Sequence, residues 1–531
     1  MKKKISFLIC VIHIFCSFCF SKENQLAKTE FNKKNEYKRP HDWAGLTWKE
    51  QIPRIIHPNK ELEAVYLKTW DIAAGRVRKG PDGLVASPYL DENCYEDQIW
   101  IWDACFMVMF SKYAPDAYPG KETLSNFYAP IHDSTSSSLR IHFRDNPPLF
   151  SWVEYDNFFF TGDDKHIDRV LQEKKYLQKH YHYFQTVPKG DVNNALSPNS
   201  IHRDFVRDSN KQIIGYTWSG RASGMDNTPR GRDAGGDDKI MWIDAISQQA
   251  LSALYLSRLC TQKGLLAEAT KWDSVYNTTK KIINQYYWNE EDGFYYDVQV
   301  SDKKHSKIKT PASYWAMLAE IPSPEQAKRM VRYLRSHDYM GGEHPWNSLS
   351  RDDKDYNDVT GDYWKGGIWL PHAYMGIKAL EKYGHYDLAD ELAERVVNKQ
   401  IRTFYSVTPN TIWECYSPSL DQPSTENGRR ARPDFCGWSA LGPISMTIEN
   451  ILGFRYVDAI NKEVSWWLKK KNRTHGIKNL HIKDIDTDIL YDAKNNRIKV
   501  KSTGKYILRI YLEDGSEQQV EIKSGENLFP I

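Results

Sequence analysis

The sequence has no apolar stretch long enough to cross a membrane: its longest, residues 5–20, falls short of the about 20 residues a spanning helix needs. That run follows Met-Lys-Lys-Lys and precedes Ser21-Lys22-Glu23, which is the makeup of a signal peptide. Cleavage is expected after Ser21, leaving a secreted or periplasmic chain with a polar arm over 22–45. Phe precedes both Cys16 and Cys19, which disfavours a lipid-modified cysteine. An excess of either charge is also missing: 72 Lys and Arg stand against 69 Asp and Glu, a net of +3. This argues against a nucleic-acid surface or a strongly acidic ligand. Cysteine is sparse and scattered. Of eight, Cys10, Cys16 and Cys19 leave with the signal, and Cys94, Cys105, Cys260, Cys415 and Cys436 form neither a disulfide framework nor a CxxC metal site. They read as small buried hydrophobes. No metal and no cofactor is expected. A fixed sequence period is absent too, which argues against an open solenoid.

Aromatic residues, in contrast, are abundant, with 18 Trp, 32 Tyr and 20 Phe. Most should pack a core of bulky helices; some can offer flat faces to a ligand. From about 46 to 460, helical periodicity recurs between long connections rich in Gly, Pro and Asp. The clearest case is 238–260, where Ile243, Ile246, Ala250, Ala253, Leu256 and Cys260 share one face. Further helices are predicted over 62–75, 100–111, 152–160, 167–184, 267–287, 314–320, 325–334, 369–383, 388–403 and 438–452. About a dozen helices with long loops suit an (α/α)6 barrel, six helical hairpins around one core. After about 475, short alternating segments separated by Asn495-Asn496, Asp514-Gly515 and Ser524-Gly525 predict a small all-β domain to 531. It should cap the barrel.

Two carboxylates stand in unusual surroundings. Asp226 is the only one between Asp208 and Asp233, in a Gly/Pro loop ahead of a helix, beside Met225 and near Trp218. Apolar neighbours raise a carboxyl pKa, which suits a general acid; an Asx-turn or a helix N-cap is the competing use. Glu414 lies within Thr-Ile-Trp-Glu-Cys-Tyr-Ser-Pro418, among aromatic residues. It serves either as a base or as the anchor of an arginine such as Arg402.

Three aromatic segments accompany them, around Trp102-Asp103, over Tyr363-Trp-Lys-Gly-Gly-Ile-Trp369, and over Gly437-Trp-Ser-Ala-Leu-Gly-Pro443. Sugars present a CH face that stacks on rings and a rim of hydroxyls that bonds carboxylates, amides and cations. Trp102, Asp103, Trp218, Asn227, Arg230, Trp364, Lys365, Trp369, Trp413, Tyr416 and Trp438 are therefore the candidate substrate contacts. For any single Trp, core packing is the simpler reading; flanking glycines shift it for Trp364, Trp369 and Trp438.

Gly224-Met-Asp-Asn-Thr-Pro-Arg230, Tyr363-Trp-Lys-Gly-Gly-Ile-Trp369, Trp413-Glu-Cys-Tyr-Ser-Pro418 and Gly437-Trp-Ser-Ala-Leu-Gly-Pro443, in this order, resemble the motif series of glycoside hydrolase family 63. Mannosylglycerate hydrolases and α-glucosidases belong to that group, and trehalases are related. Trp102-Asp103 resembles its early Trp-Asp motif, and Asn289-Glu-Glu-Asp-Gly-Phe-Tyr-Tyr-Asp297 a turn common in such barrels. The resemblance covers about residues 95–455. It implies an (α/α)6 barrel and an inverting mechanism, with Asp226 as general acid and Glu414 as general base. Two departures bear on specificity: Lys365-Gly366-Gly367 replaces the usual Arg-Gly-Pro, and no sizeable N-terminal β-sandwich is evident.

Asp352-Asp-Lys-Asp-Tyr-Asn-Asp358 fails as a calcium loop, because a register from Asp353 puts Asp358 at the glycine position and Trp364 at the closing glutamate. His180 and His182, two apart on a helix, point to different faces and make a poor metal pair. The expected function is an exported inverting exo-α-glycosidase acting on oligosaccharides from external polysaccharide, with a carbohydrate as its partner. The alternatives are another six-hairpin enzyme, an α-L-rhamnosidase or an unsaturated uronyl hydrolase, and a non-catalytic glycan-binding protein. Paired carboxylates on distant loops favour catalysis over binding alone.

Overall fold

The computed structural model describes residues 48–78, 88–92 and 98–531; the expected signal segment, the 22–45 arm and Cys94 lie outside them. Twelve helices build a closed double ring. They are α1 (Lys60–Ala74), α2 (Ile101–Ser111), α3 (Gly120–His132), α4 (Phe150–Thr161), α5 (Tyr176–Thr186), α6 (Ile243–Gln262), α7 (Leu266–Tyr286), α8 (Tyr314–Leu318), α9 (Pro324–Arg335), α10 (Leu370–Lys382), α11 (Tyr386–Ser406) and α12 (Gly442–Ile451). The even-numbered helices form the inner ring: each packs on the next, and α12 returns to α2. This is an (α/α)6 barrel.

Sequence decides which helix goes inside. Every residue of α2, α8 and α12 is buried, as a helix apolar on all sides requires. The outer α9 buries only Ala327, Met330, Val331, Tyr333 and Leu334, one stripe, and starts at a Ser323 and Gln326 capping box with Pro324 in the first turn. Two expected helices are altered. Residues 167–184 are split: a π turn at Arg169–Glu173 and a left-handed Lys175 (φ 52°) separate Asp164–Asp168 from α5. Residues 438–452 begin with a 3-10 turn, and α12 itself is wound as a π-helix.

At the C-terminal ends of the inner helices, buried and half-buried cations face acids. Lys112 lies 2.6 Å from Asp156 and 3.5 Å from Glu449, while Lys378 lies 2.6 Å from Glu449 and 2.8 Å from Glu381. Cations at this end are favoured by the helix dipoles. The chain then leaves α12 into the β region. Its strands are β1 (Arg54–Ile56), β2 (Phe454–Asp458), β3 (Glu463–Leu468), β4 (His475–Ile482), β5 (Ile485–Asp492), β6 (Arg497–Ser502), β7 (Tyr506–Leu512), β8 (Glu517–Ile522) and β9 (Gly525–Pro530). One sheet runs β1-β4-β5-β6-β9 and the other β2-β3-β7-β8, with β3 and β7 parallel. Strand structure thus starts at Phe454 rather than after 475, and three residues from before α1 form one edge.

The long connections run from outer to inner helices. The segments leading into α2, α6, α10 and α12 therefore meet at the N-terminal end of the inner ring. The segments around Asp226, Tyr363–Trp369, Glu414 and Trp438 lie on these connections, and Trp102-Asp103 begins α2.

Candidate active site

Asp226 sits in the turn that follows the short helix Gly220–Ser223, whose start is capped by the Ser219 hydroxyl. Neighbouring side chains fasten this turn from below. Met225 is fully buried, while Asp226 is exposed. Met225, the apolar neighbour expected beside Asp226, thus turns into the core. Arg230, expected at the sugar, is fully buried instead. Its guanidinium bonds Asp297 through Nε at 2.7 Å and Nη2 at 2.6 Å, and Asp244 through Nη1 at 2.7 Å and Nη2 at 2.9 Å, and it stacks over Trp242. Its donors are thereby taken up by these two carboxylates; it anchors the turn. Asn227 is a clasp between loops, donating to the Asp362 carbonyl at 2.9 Å and accepting from the Trp364 amide at 2.8 Å. Arg232 ties the same loop to Asp353 at 2.8 Å and Asp355 at 2.5 Å, which gives two acids of the 352–358 stretch a cationic partner.

Gly224 is the hinge of this turn. It adopts φ +85°, and a Cβ there would come 2.4 Å from the Trp102 ring. Gly224→Ala should lose about 1–2 kcal/mol from the left-handed backbone and about 1–3 kcal/mol from overpacking. Thermal melting checks this, and activity should fall with it, because Asp226 is two residues on.

Glu414 is buried, at 1% exposure. Tyr363 donates its hydroxyl to Oε1 at 2.8 Å, Arg432 donates Nη2 to Oε1 at 2.7 Å, and the Arg432 amide donates to Oε2 at 3.3 Å. Trp438 donates its indole N–H to the Glu414 carbonyl at 2.7 Å. Converging donors with a guanidinium among them are the setting of an ionised carboxylate. Arg402 is not its partner; it bonds Asp421 at 3.1 Å. Tyr363 is held at φ 67°, an uncommon conformation for a tyrosine, beside the Asn227 clasp.

Asp103, at the start of α2, is buried. Burial holds its carboxyl well above the usual range; Arg432 opposes this, and the charges of Glu414 and Asp226 add to it. The Tyr363 hydroxyl is likewise raised, by burial and then by Glu414 and Asp226. Asp226 and Glu414 therefore both bear on the same two side chains.

The tryptophans form the floor of this region more than its walls. Trp364 and Trp369 stack on each other, centroids 3.9 Å apart and 9° from parallel, and both are buried. Trp102 packs against Trp364, Trp438 and His372. Trp218 is buried with its N–H on Asp145 at 3.2 Å, and Trp413 is buried. Tyr416 is buried, its hydroxyl accepting from Gln400 and from the Trp413 amide, each at 3.0 Å. Lys365 pairs with Asp362 at 3.1 Å. Tyr363 and Arg432 are the site residues that sequence reasoning missed. Tyr363 stood in a quoted motif beside the chosen Trp364. Arg432 could have been sought only through the rule that a buried glutamate needs a cation.

Residues 199–436 match the family model of the mannosylglycerate hydrolase MGH1-like glycoside hydrolase domain. The chain is a glycoside hydrolase. It resembles glycoside hydrolase family 63, as the motif series implied. Among relatives of this glycoside hydrolase, an uncharacterised protein of Borreliella burgdorferi is 27% identical over 505 residues, 90% of this chain and 98% of that one. The periplasmic trehalase of Xanthomonas campestris is 22% identical over 402 residues, 66% of each chain. Cytosolic neutral trehalase of Kluyveromyces lactis matches over only 17% of its own length. Two solved structures share the fold at 14% identity. One, a sialidase, has a TM-score of 0.67 and covers 92% of this chain and 43% of its own. The other, the mannosylglycerate hydrolase of Thermus thermophilus in complex with Tris, has a TM-score of 0.52 and covers 72% and 99%. No helix among the described residues is long and apolar enough to cross a membrane.

Proposed function

We propose that this glycoside hydrolase is an exported, inverting exo-α-glycosidase acting on oligosaccharides released from external polysaccharide, with Asp226 as general acid and Glu414 as general base. The observation that carries the reading is that one loop joins the segments of both carboxylates: Asn227, next to Asp226, bonds the Asp362 carbonyl and the Trp364 amide, and Tyr363 between them bonds Glu414. Inversion needs one acid on the leaving oxygen and one base on a water across the ring, with about 6.5–9.5 Å between the carboxyl groups. Exposed Asp226 is accessible to a leaving oxygen. Glu414, ringed by Tyr363 and Arg432, suits the base that polarises the attacking water.

The test is hydrolysis by the purified protein of a panel of aryl α-glycosides and of plant and algal oligosaccharides, with Glu414→Gln assayed in parallel. Release of terminal sugars by the wild type alone is the expected result. Near-full activity in Glu414→Gln, with loss in Asp226→Asn, would replace this reading by a single-aspartate hydratase acting on unsaturated uronides.

A further inference from the structure

Asn146 lies on the connection that leads from α3 into α4, outside every sequence motif named above, and is 1% exposed. The two ends of its amide serve two different parts of the site. Oδ1 accepts from the Trp102 amide at 2.9 Å, and Nδ2 donates to the Ala222 carbonyl at 3.0 Å. Trp102 precedes Asp103 at the start of α2, and Ala222 belongs to the short helix Gly220–Ser223 that leads to Asp226. One side chain therefore ties the start of the inner helix to the helix beneath Asp226.

Asn146 is itself held from both sides. Its backbone amide donates to the Phe143 carbonyl at 2.9 Å, and Pro147-Pro148 restrict the chain that follows. Asp145 before it accepts from the amides of His202 and Arg203 at 2.7 and 2.9 Å and from the Trp218 indole at 3.2 Å. The side chain thus projects from a fixed backbone onto both partners.

Those partners also touch each other. The Trp102 ring lies against Gly224, where a Cβ would come within 2.4 Å of it. The Met225 amide bonds the Gly220 carbonyl at 2.9 Å, and a Cβ on Gly220 would come 2.7 Å from the Asp226 carbonyl oxygen. The backbone of Asp226 therefore rests on the first turn of the helix that Asn146 holds. The last carbonyls of a helix lack partners within it and need one from outside. Ala222 is fully buried, so water is a poor substitute for the Asn146 amide. A shift of this helix would carry Asp226 with it.

We propose that Asn146 is a positioning residue of the reaction: by holding the Trp102 amide and the Ala222 carbonyl together, it sets where the Asp226 carboxyl meets the leaving oxygen. The proposal rests on the assignment of Asp226 as general acid above.

The test compares two leaving groups. Proton delivery matters for a leaving group that departs poorly as an anion and hardly at all for one that departs readily. The probes are the phenyl and 2,4-dinitrophenyl α-glycosides of the sugar that the enzyme releases. Asn146→Leu keeps much of the volume and makes neither bond; if it does not fold by circular dichroism, Asn146→Ala takes its place. On the phenyl glycoside, kcat should fall about 10²-fold, the effect of misplacing a reacting group by about 1 Å. On the dinitrophenyl glycoside the loss should be smaller by about tenfold or more. An unchanged kcat on the phenyl glycoside would overturn the proposal. So would a loss that differs by less than this between the two probes, which is what a general loosening of the fold produces. Asp226→Asn on the same probes separates the two readings. A uniform loss in Asp226→Asn removes the acid assignment and the proposal with it. A loss in Asp226→Asn that depends on the leaving group, beside a uniform loss in the Asn146 variant, removes the role of Asn146 alone.

Discussion

Glu414→Gln is expected to lower kcat by about 10²–10⁴-fold, the range typical of a lost general base. Substrate affinity should change little, because the amide keeps the shape and still accepts from the Tyr363 hydroxyl. Asp226→Asn should give a loss of the same order, as the neutral amide cannot deliver a proton. The double variant should be scarcely worse than either single one, since acid and base act in one transition state. Steady-state kinetics of the three variants on one substrate check this. A double loss equal to the product of the single losses would mean that the two carboxylates act in separate steps.

Arg230→Met should have the largest effect on stability. It leaves Asp244 and Asp297 buried at 1% and 2% exposure with their shared cation gone. Breaking a buried ion pair in this way is destabilising by about 3–5 kcal/mol. Burial already pushes the Asp244 carboxyl up, and Arg230 is first among the influences that oppose it. Removal of the arginine should therefore make this pair take up a proton. The turn that carries Asp226 ends at this anchor, so activity should fall further than the fraction unfolded. Denaturant unfolding with activity measured at matched folded fraction checks both halves. A variant as stable as the wild type would show that the ion pair is not what fixes the turn.

The two rings were legible in the sequence because their helices repeat apolar residues at helical spacing and their loops are long. The predicted helices over 62–75, 238–260, 325–334 and 388–403 each overlap one helix, with ends shifted by a few residues. Helix α3 was not legible. Its apolar positions Leu124, Phe127 and Tyr128 are few, and Pro130 lies inside it. The strand Arg54–Ile56 gave no signal either, since three residues carry no period and its partner lies over 400 positions away. The same limit governs the site. Asp226, Glu414 and Asp103 stood out by local composition and motif order. The partners that give them their electrostatics, Arg432 and Tyr363, are set by long-range packing. Ring counts also misled. Trp364, Trp369 and Trp413 sit in motifs rich in glycine or aromatic residues, yet each is buried, and two of them spend their faces on each other.

The central claim is that water attacks directly across from the leaving group, with Asp226 and Glu414 on opposite faces of one sugar. Proton NMR of the first-formed product, recorded before mutarotation, tests this most directly on any α-glycoside the enzyme cleaves. The account predicts that the β-anomer appears first and then equilibrates. First appearance of the α-anomer would mean a retaining, double-displacement reaction and would contradict it.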